Sequence, residues 1–161
     1  MKALVVYDSA YGNTEKIARA IGGAIAGEVK VLHVGEVNLS ELKAIDLLIV
    51  GSPTQGFRPT KPVQEFIGSI SGDTLRGIDV AAFDTRIPTG EVGRGLRLLM
   101  KVGGYAAKRI AEALKKKSAN LVVPPEGFFV KDKEGPLSEG ELERAAIWAQ
   151  AMVKRNRIIP I

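Results

Sequence analysis

The chain has 161 residues, 45% of them hydrophobic, which is enough for one buried core, so we expect a single domain over residues 1–161. It contains no cysteine, which excludes disulfides, thiolate catalysis and cysteine-ligated metal centres, so any redox chemistry requires a cofactor. The net charge of +5 comes from scattered basic residues without a nucleic-acid-binding motif, and no apolar run reaches the roughly 20 residues that span a bilayer. Because the chain also opens directly on a strand, without a signal peptide, we expect a cytoplasmic protein that binds no nucleic acid and does not insert into a membrane.

The first half of the chain alternates apolar runs with amphipathic segments. Apolar, β-branched runs predict strands at residues 3–7, 29–34 and 46–50. Apolar side chains at helical spacing predict helices at residues 14–26 and 60–70, with a short helical piece at 39–44. Pro62 fits the first turn of its helix, where the missing N–H costs nothing.

The second half continues the alternation. Strands are predicted at residues 78–83 and 120–123, the latter resuming at 127–130 beyond two prolines. Helices are predicted at residues 105–116 and 139–155, the last with Ser138 as N-cap, and an additional helical turn at 95–102. Five strands alternating with helices require parallel pairing through right-handed crossovers. We therefore predict a three-layer, doubly wound α/β sandwich that binds ligands at the carboxyl ends of its strands.

The loop after the first strand offers hydrogen-bond donors to an anion. Ser9, Asn13 and Thr14 supply polar side chains, Gly12 permits a close turn, and the first turn of the following helix has free N–H groups. A phosphate suits these donors best. The alternative is that Asn13 or Thr14 only caps the helix, and the loop by itself does not decide between them.

The loop after the first strand lacks the motifs of other nucleotide-binding folds. It contains neither GxGxxG nor the Gly-Lys-Ser/Thr of a phosphate-binding P-loop. A phosphoacceptor response regulator would need an aspartate after the third strand, where this chain has Gly51 and Ser52.

Two loops resemble those of the flavodoxins and the flavodoxin-like quinone reductases. The segment Ser9, Ala10, Tyr11, Gly12, Asn13, Thr14 is similar to the loop that binds the phosphate of FMN in that family. The segment Ser52, Pro53, Thr54, Gln55, Gly56, Phe57 resembles the second flavin loop, which lies against the isoalloxazine ring. The resemblance implies a flavodoxin-like five-stranded parallel sheet of order 2-1-3-4-5, an FMN cofactor bound by these residues, and a third flavin loop beginning at Asp84, Thr85 and Arg86.

The chain also departs from the family pattern. Flavodoxins commonly stack an aromatic residue on each side of the flavin, yet only Phe57 stands in the second loop and the third, residues 85–95, has no aromatic residue. An open ring face would admit NAD(P)H and a small quinone, or would take an aromatic residue from a second subunit. Arg58, Arg86 and Arg94 replace the usual acidic surroundings, and we expect this positive charge to stabilise reduced flavin, to raise its potential and to favour an acidic redox partner protein.

Three functions therefore remain open: an FMN-binding electron carrier, an NAD(P)H-dependent quinone reductase, and a flavin-free interaction module. No residue is predicted to act as catalytic acid, base or nucleophile, because the flavin would supply the chemistry, and no metal site is predicted. His33, the single histidine, is placed in the second strand away from the carboxyl edge, and Trp148 and Met152 are predicted core residues. The run of Lys115, Lys116 and Lys117 is interpreted as a solvated helix end, and the apolar tail at 157–161 leaves a homo-oligomer open.

Overall fold

The computed structural model describes residues 1–88 and 105–156, except the side chains of Arg155 and Asn156. The strands are β1 (Lys2–Tyr7), β2 (Glu28–His33), β3 (Leu47–Pro53), β4 (Asp79–Arg86), β5 (Asn120–Leu121) and β6 (Glu126–Phe129). The α-helices of the described ranges are α1 (Asn13–Ala24), α2 (Lys61–Ser69), α3 (Ala106–Lys115) and α4 (Glu141–Asn156), and two 3-10 helices span Val34–Glu36 and Leu39–Ala44. The helical turn predicted at 95–102 and the apolar tail at 157–161 lie outside the described residues.

The strands form one parallel sheet in the predicted order, β2-β1-β3-β4-β5. The predicted fifth strand is divided in two: β5 pairs with the beginning of β4, and β6 pairs with its end. Pro124 and Pro125 separate the two pieces because proline has no N–H to donate to the sheet. The sheet prediction is thus confirmed, with the fifth position shared by β5 and β6.

The strands β3 and β4 each extend three residues further than the hydrophobic pattern indicated. Ser52 pairs with Asp84, and Pro53 pairs with Thr85. Several residues expected in flavin loops therefore belong to strand ends, where their backbone positions are fixed by the neighbouring strand.

The two faces of the sheet are covered by different helices. On one face, α1 and α4 pack their apolar residues against Val5 and Phe83. On the other, α2 and α3 pack against Val6 and Val50. Because β1 is buried on both faces, each of its fully buried valines stabilises the fold by about 1.5–3 kcal/mol relative to an exposed position.

The last helix confirms two predicted core positions. Met152 is fully buried, and the half-buried ring of Trp148 packs edge-on against Phe83 and Phe128, with ring centroids 6.3 and 5.9 Å away. Across the described ranges, no helix combines the length and the apolar character needed to cross a membrane.

Candidate cofactor site at the carboxyl edge

A cleft of about 530 Å³ lies at the carboxyl edge of the sheet, a volume typical of small-molecule and cofactor sites. Eight predicted site residues line it: Ala10, Tyr11, Pro53, Thr54, Gln55, Gly56, Thr85 and Arg86. Three further residues also line it: Ile87, which falls in the predicted third loop, and Val130 and Lys133, which were not predicted. The cleft therefore brings the three predicted loops together and adds a fourth segment, the one that follows β6.

The loop between β1 and α1 presents backbone N–H groups. Ser9 Oγ accepts hydrogen bonds from the N–H groups of Gly12, at 3.0 Å, and Glu15, at 3.5 Å. Gly12 has φ of 91°, a left-handed conformation that glycine adopts without steric cost. The N–H groups of Ala10, Tyr11, Asn13 and Thr14 have no acceptor within the described part of the chain. These four donors, at the positive end of α1, form a site suited to an anion.

Two predicted ligand side chains of this loop have partners inside the protein. Asn13 Nδ2 donates to the carbonyl oxygen of Glu134, at 3.2 Å, and so fastens the first loop to the segment after β6. Thr14 Oγ1 lies 2.9 Å from Thr85 Oγ1, and both threonines are buried. The alternative that Asn13 or Thr14 caps α1 is wrong, because Gly12 is the N-cap and the cap has no side-chain hydrogen bond.

Asp8 connects the first loop to two other elements. Its Oδ1 accepts the N–H of Ser9, at 2.9 Å, and lies 3.1 Å from His33 Nε2, while its Oδ2 accepts the hydroxyl of Thr60, at 2.6 Å. His33 Nδ1 accepts a hydrogen bond from the N–H of Gly35, so Nε2 carries the ring proton and donates a hydrogen bond to Asp8 Oδ1. The placement of His33 away from the carboxyl edge was wrong: it is the last residue of β2, directly beside Tyr7.

The second loop has a tight turn at residues 55–58. The backbones of Gln55 and Arg58 exchange hydrogen bonds of 2.9 and 3.0 Å, and Gly56 and Phe57 both have positive φ, at 54° and 66°. Ser52 is fully buried, and its hydroxyl oxygen accepts the N–H of Thr60. The role of Ser52 seen here is therefore to shape the loop.

The aromatic residue that lines the cleft is Tyr11, which is 50% exposed. Phe57, the predicted stacking residue, is not among the lining residues, and its carbonyl oxygen accepts a hydrogen bond from Arg109 Nε at 3.0 Å. A bare ring face was predicted from the second and third loops alone. Tyr11 belongs to the first loop, which was predicted to bind the phosphate, and it also lines the cleft.

Asp84 and Arg86 form a buried ion pair. Arg86 donates to Asp84 through Nε, at 2.7 Å, and through Nη2, at 2.8 Å, and the N–H of Ala107 adds a third hydrogen bond at 2.9 Å. Burial raises the pKa of the Asp84 carboxyl, and the Arg86 guanidinium and the Ala107 N–H oppose that rise. The guanidinium also stacks on the ring of Tyr105, with its Cζ 3.6 Å from the centroid. Residues two apart on a strand share a face, but the predicted strand ended at residue 83, so the sequence did not indicate this pairing.

This pair changes the electrostatic expectation. When ionised, Asp84 neutralises Arg86, so Arg86 is not the free positive charge that the sequence argument required. Arg58 lines a different groove, and Arg94 lies outside the described residues. Lys133, which was not predicted from the sequence, lines the cleft.

A doubly wound parallel sheet whose first loop presents N–H groups without an acceptor among the described residues is typical of α/β proteins that bind nucleotide cofactors. The family profile described as "Flavodoxin domain" matches residues 4–87, about half of the chain, and the chain belongs to the flavodoxin family. Membership in this family implies a flavin cofactor.

Two curated relatives match parts of the chain. It is 33% identical over 82 residues to a flavodoxin of Aquifex aeolicus, covering 48% of this chain and 44% of that protein. It is 30% identical over 112 residues to a putative diflavin flavoprotein of Synechocystis, covering 65% of this chain and 19% of that protein. The chain therefore spans less than half the length of each of these relatives.

Solved flavodoxin structures match nearly the whole chain. A flavodoxin from the domain Archaea is 25% identical, with a TM-score of 0.75, and the match covers 98% of this chain and 99% of that one. Flavodoxin 2 from Bacillus cereus, at 24% identity and a TM-score of 0.75, has the same fold over 96% of this chain and 99% of its own.

Proposed function

We propose that the chain, acting as a single domain, binds FMN non-covalently in the cleft at the carboxyl edge and carries electrons between redox partners. The observation that carries this proposal is the set of four backbone N–H groups without an acceptor, at Ala10, Tyr11, Asn13 and Thr14, beside the cleft. A phosphate supplies the negative charge and the several acceptor oxygens that this set of donors lacks.

Each segment has its own task in this proposal. The first loop binds the phosphate through its N–H groups and the Ser9 hydroxyl, which has a proton left to donate. Tyr11 and the segment of Pro53, Thr54, Gln55 and Gly56 hold the ring, and Thr85 and Lys133 contact the remaining polar groups. When bound, FMN supplies one-electron and two-electron redox chemistry, and the protein supplies binding, orientation and electrostatics.

An electron carrier is favoured over the two alternatives. A quinone reductase would need an open ring face, and here Tyr11 supplies an aromatic side chain at the cleft. The flavin-free module is disfavoured because the chain belongs to a family that implies a flavin cofactor and has a cleft of about 530 Å³ beside the first loop. We also propose that the redox partner is a protein and that the chain acts in the cytoplasm.

The cofactor assignment is tested by titrating the purified apoprotein with FMN and with riboflavin, following the quenching of flavin fluorescence. FMN is expected to bind at least tenfold more tightly, because riboflavin lacks the phosphate. Ser9→Ala should weaken FMN binding about tenfold and leave riboflavin binding unchanged, whereas the matched control Ser40→Ala, on an exposed 3-10 helix, should alter neither. Equal affinity for the two flavins would overturn the phosphate assignment.

The carrier assignment is tested on the FMN-loaded protein. A spectroelectrochemical titration should show reversible reduction, and mixing with NADPH and a quinone such as menadione should give no turnover above the rate of free FMN. Turnover well above that rate would favour the quinone reductase.

A further inference from the structure

A second concave surface, separate from the cofactor cleft, lies between α2 and α3. This groove has a volume of about 450 Å³ and an apolar floor of Pro59, Ile67, Ile110 and Ala113. It lies on the face of the sheet opposite α1 and α4. Neither the flavin site nor the core requires a groove at this position.

The edge of the groove is strongly basic. Its cationic residues are Arg58, Arg109, Lys116 and Lys117, and no carboxylate belongs to the lining within the described residues. On α3, Arg109 and Lys116 are seven positions apart, which corresponds to about 10 Å along the helix. The positive charge is therefore placed at both ends of an apolar floor.

Two of these cations donate to backbone carbonyl groups, and the other two have no ion-pair partner among the residues that the structure describes. Lys117 Nζ donates to the carbonyl oxygen of Ile70, at 2.7 Å, and so covers the C-terminal end of α2. Arg109 Nε donates to the carbonyl oxygen of Phe57. Arg58 and Lys116 are exposed, and neither has a salt bridge to any residue in the described part of the chain.

We propose that this groove docks an acidic patch of a partner protein, with carboxylates about 10 Å apart on either side of an apolar side chain. A single small anion cannot reach both ends of the groove. A nucleic acid is a poorer match, because the lining offers no aromatic ring on which bases could stack. Two of the three lysines at the end of α3, Lys116 and Lys117, thereby gain a role beyond that of a solvated helix end.

The groove shares a wall with the cofactor cleft. The turn at residues 55–58 contributes Gln55 and Gly56 to the cleft, and Arg58 contributes to the groove from the other end of the same turn. If the chain carries electrons as proposed above, a partner docked in the groove lies against a loop that borders the flavin. The docking surface itself does not depend on that function, so the two can be tested separately.

The test uses the full chain, labelled with ¹⁵N, and a synthetic peptide of Glu and Leu residues as the acidic probe. At low salt, titration should shift the amide resonances of Ile67, Gly68 and Ala113. The same peptide with Gln in place of Glu should bind at least tenfold more weakly. The variant Arg58→Glu/Lys116→Glu should also bind the acidic peptide at least tenfold more weakly.

A matched variant controls for net charge. Lys43→Glu/Lys154→Glu makes the same change in charge at exposed lysines outside the groove, and it should bind the peptide within twofold of the parent. Circular dichroism checks that each variant folds. If Arg58→Glu/Lys116→Glu does not fold, the single variant Lys116→Glu, at an exposed helix end, replaces it in the titration.

Three outcomes would overturn the groove proposal: equal weakening in both charge-reversal variants, resonance shifts spread outside the groove, or displacement of the peptide by single-stranded DNA at lower concentration. FMN binding is measured separately on the same samples. If the protein binds the peptide but not FMN, the docking proposal is retained and the carrier function is refuted. If it binds FMN but not the peptide, only the docking proposal is refuted.

Discussion

Replacing Arg86 with Leu removes the cation that faces the buried carboxyl of Asp84. The substitution deletes two hydrogen bonds, of 2.7 and 2.8 Å, and leaves the N–H of Ala107 and the hydroxyl of Thr54 as donors. Because Asp84 is 0% exposed, its carboxylate depends on donors of the protein. Removing one partner of a buried ion pair costs about 3–5 kcal/mol, and the remaining donors place this case at the lower end. We expect the free energy of unfolding to fall by about 3 kcal/mol at neutral pH.

The loss should depend on pH in a defined direction. Burial raises the pKa of Asp84 above its ordinary value of 3.8, and removal of the guanidinium raises it further. Between the unfolded and the folded pKa, the folded state binds more protons than the unfolded state, so stability falls as pH rises, by at most about 1.4 kcal/mol per pH unit. Below the unfolded pKa the carboxyl is protonated in both states. The deficit of Arg86→Leu relative to the parent should therefore be small in acid and large at neutral pH.

The assay is urea unfolding between about pH 4 and pH 7, followed by the fluorescence of Trp148, whose ring packs against Phe83 and Phe128 in the core. Asp84→Asn/Arg86→Leu, which also removes the carboxylate, is the control and should lose most of the pH dependence. A deficit of Arg86→Leu that is equal at every pH, or below about 1 kcal/mol at neutral pH, would refute this account of the pair.

Three further perturbations have defined outcomes. Burial would raise the pKa of Glu141, but hydrogen bonds from Arg144 and a backbone N–H outweigh it and hold that pKa below its ordinary 4.5, so thermal stability should fall as pH drops below about 4.5. Glu141→Gln should flatten this acid loss, and an unchanged profile would contradict the assignment. Gly51→Ala should destabilise the protein by about 1–3 kcal/mol in urea, because the added Cβ would clash with the buried ring of Phe83; a neutral effect would show that the ring can move. Asp8→Ala frees three donors that hold the first loop in place, and it should weaken FMN binding about tenfold in the fluorescence titration, whereas unchanged affinity would mean that the loop keeps its shape without the carboxylate.

Most of the fold could be predicted from the sequence because its signals are local. The apolar run of β1 indicated a strand buried on both faces, and the helical spacing of Ile17, Ala18 and Ile21 indicated α1. The ends of β3 and β4 were placed too early, because Ser52 and Asp84 are polar. The hydrophobic pattern does not show that the backbones of these two polar residues still pair with each other in the sheet.

The candidate site was predicted in part. The resemblance of two short segments located the first and second loops, and eight of the predicted residues line the cleft. Val130 and Lys133 were missed because β6 reaches this edge only through its pairing with β4, beyond a break at two prolines. No motif in the segment after β6 marked it as part of the site.

The sequence by itself determined the alternation of strands and helices and the loop that presents N–H groups, since each depends on residues close together in the chain. The parallel pairing of the strands follows from that alternation. Only the tertiary structure decided which polar groups are already paired. Asp8 meets His33 and Thr60, which lie 25 and 52 residues away in the chain, and the basic groove exists because α2 and α3 pack side by side. Side-chain periodicity fixes the face on which a residue lies, but its partner across that face is set by how distant segments pack together.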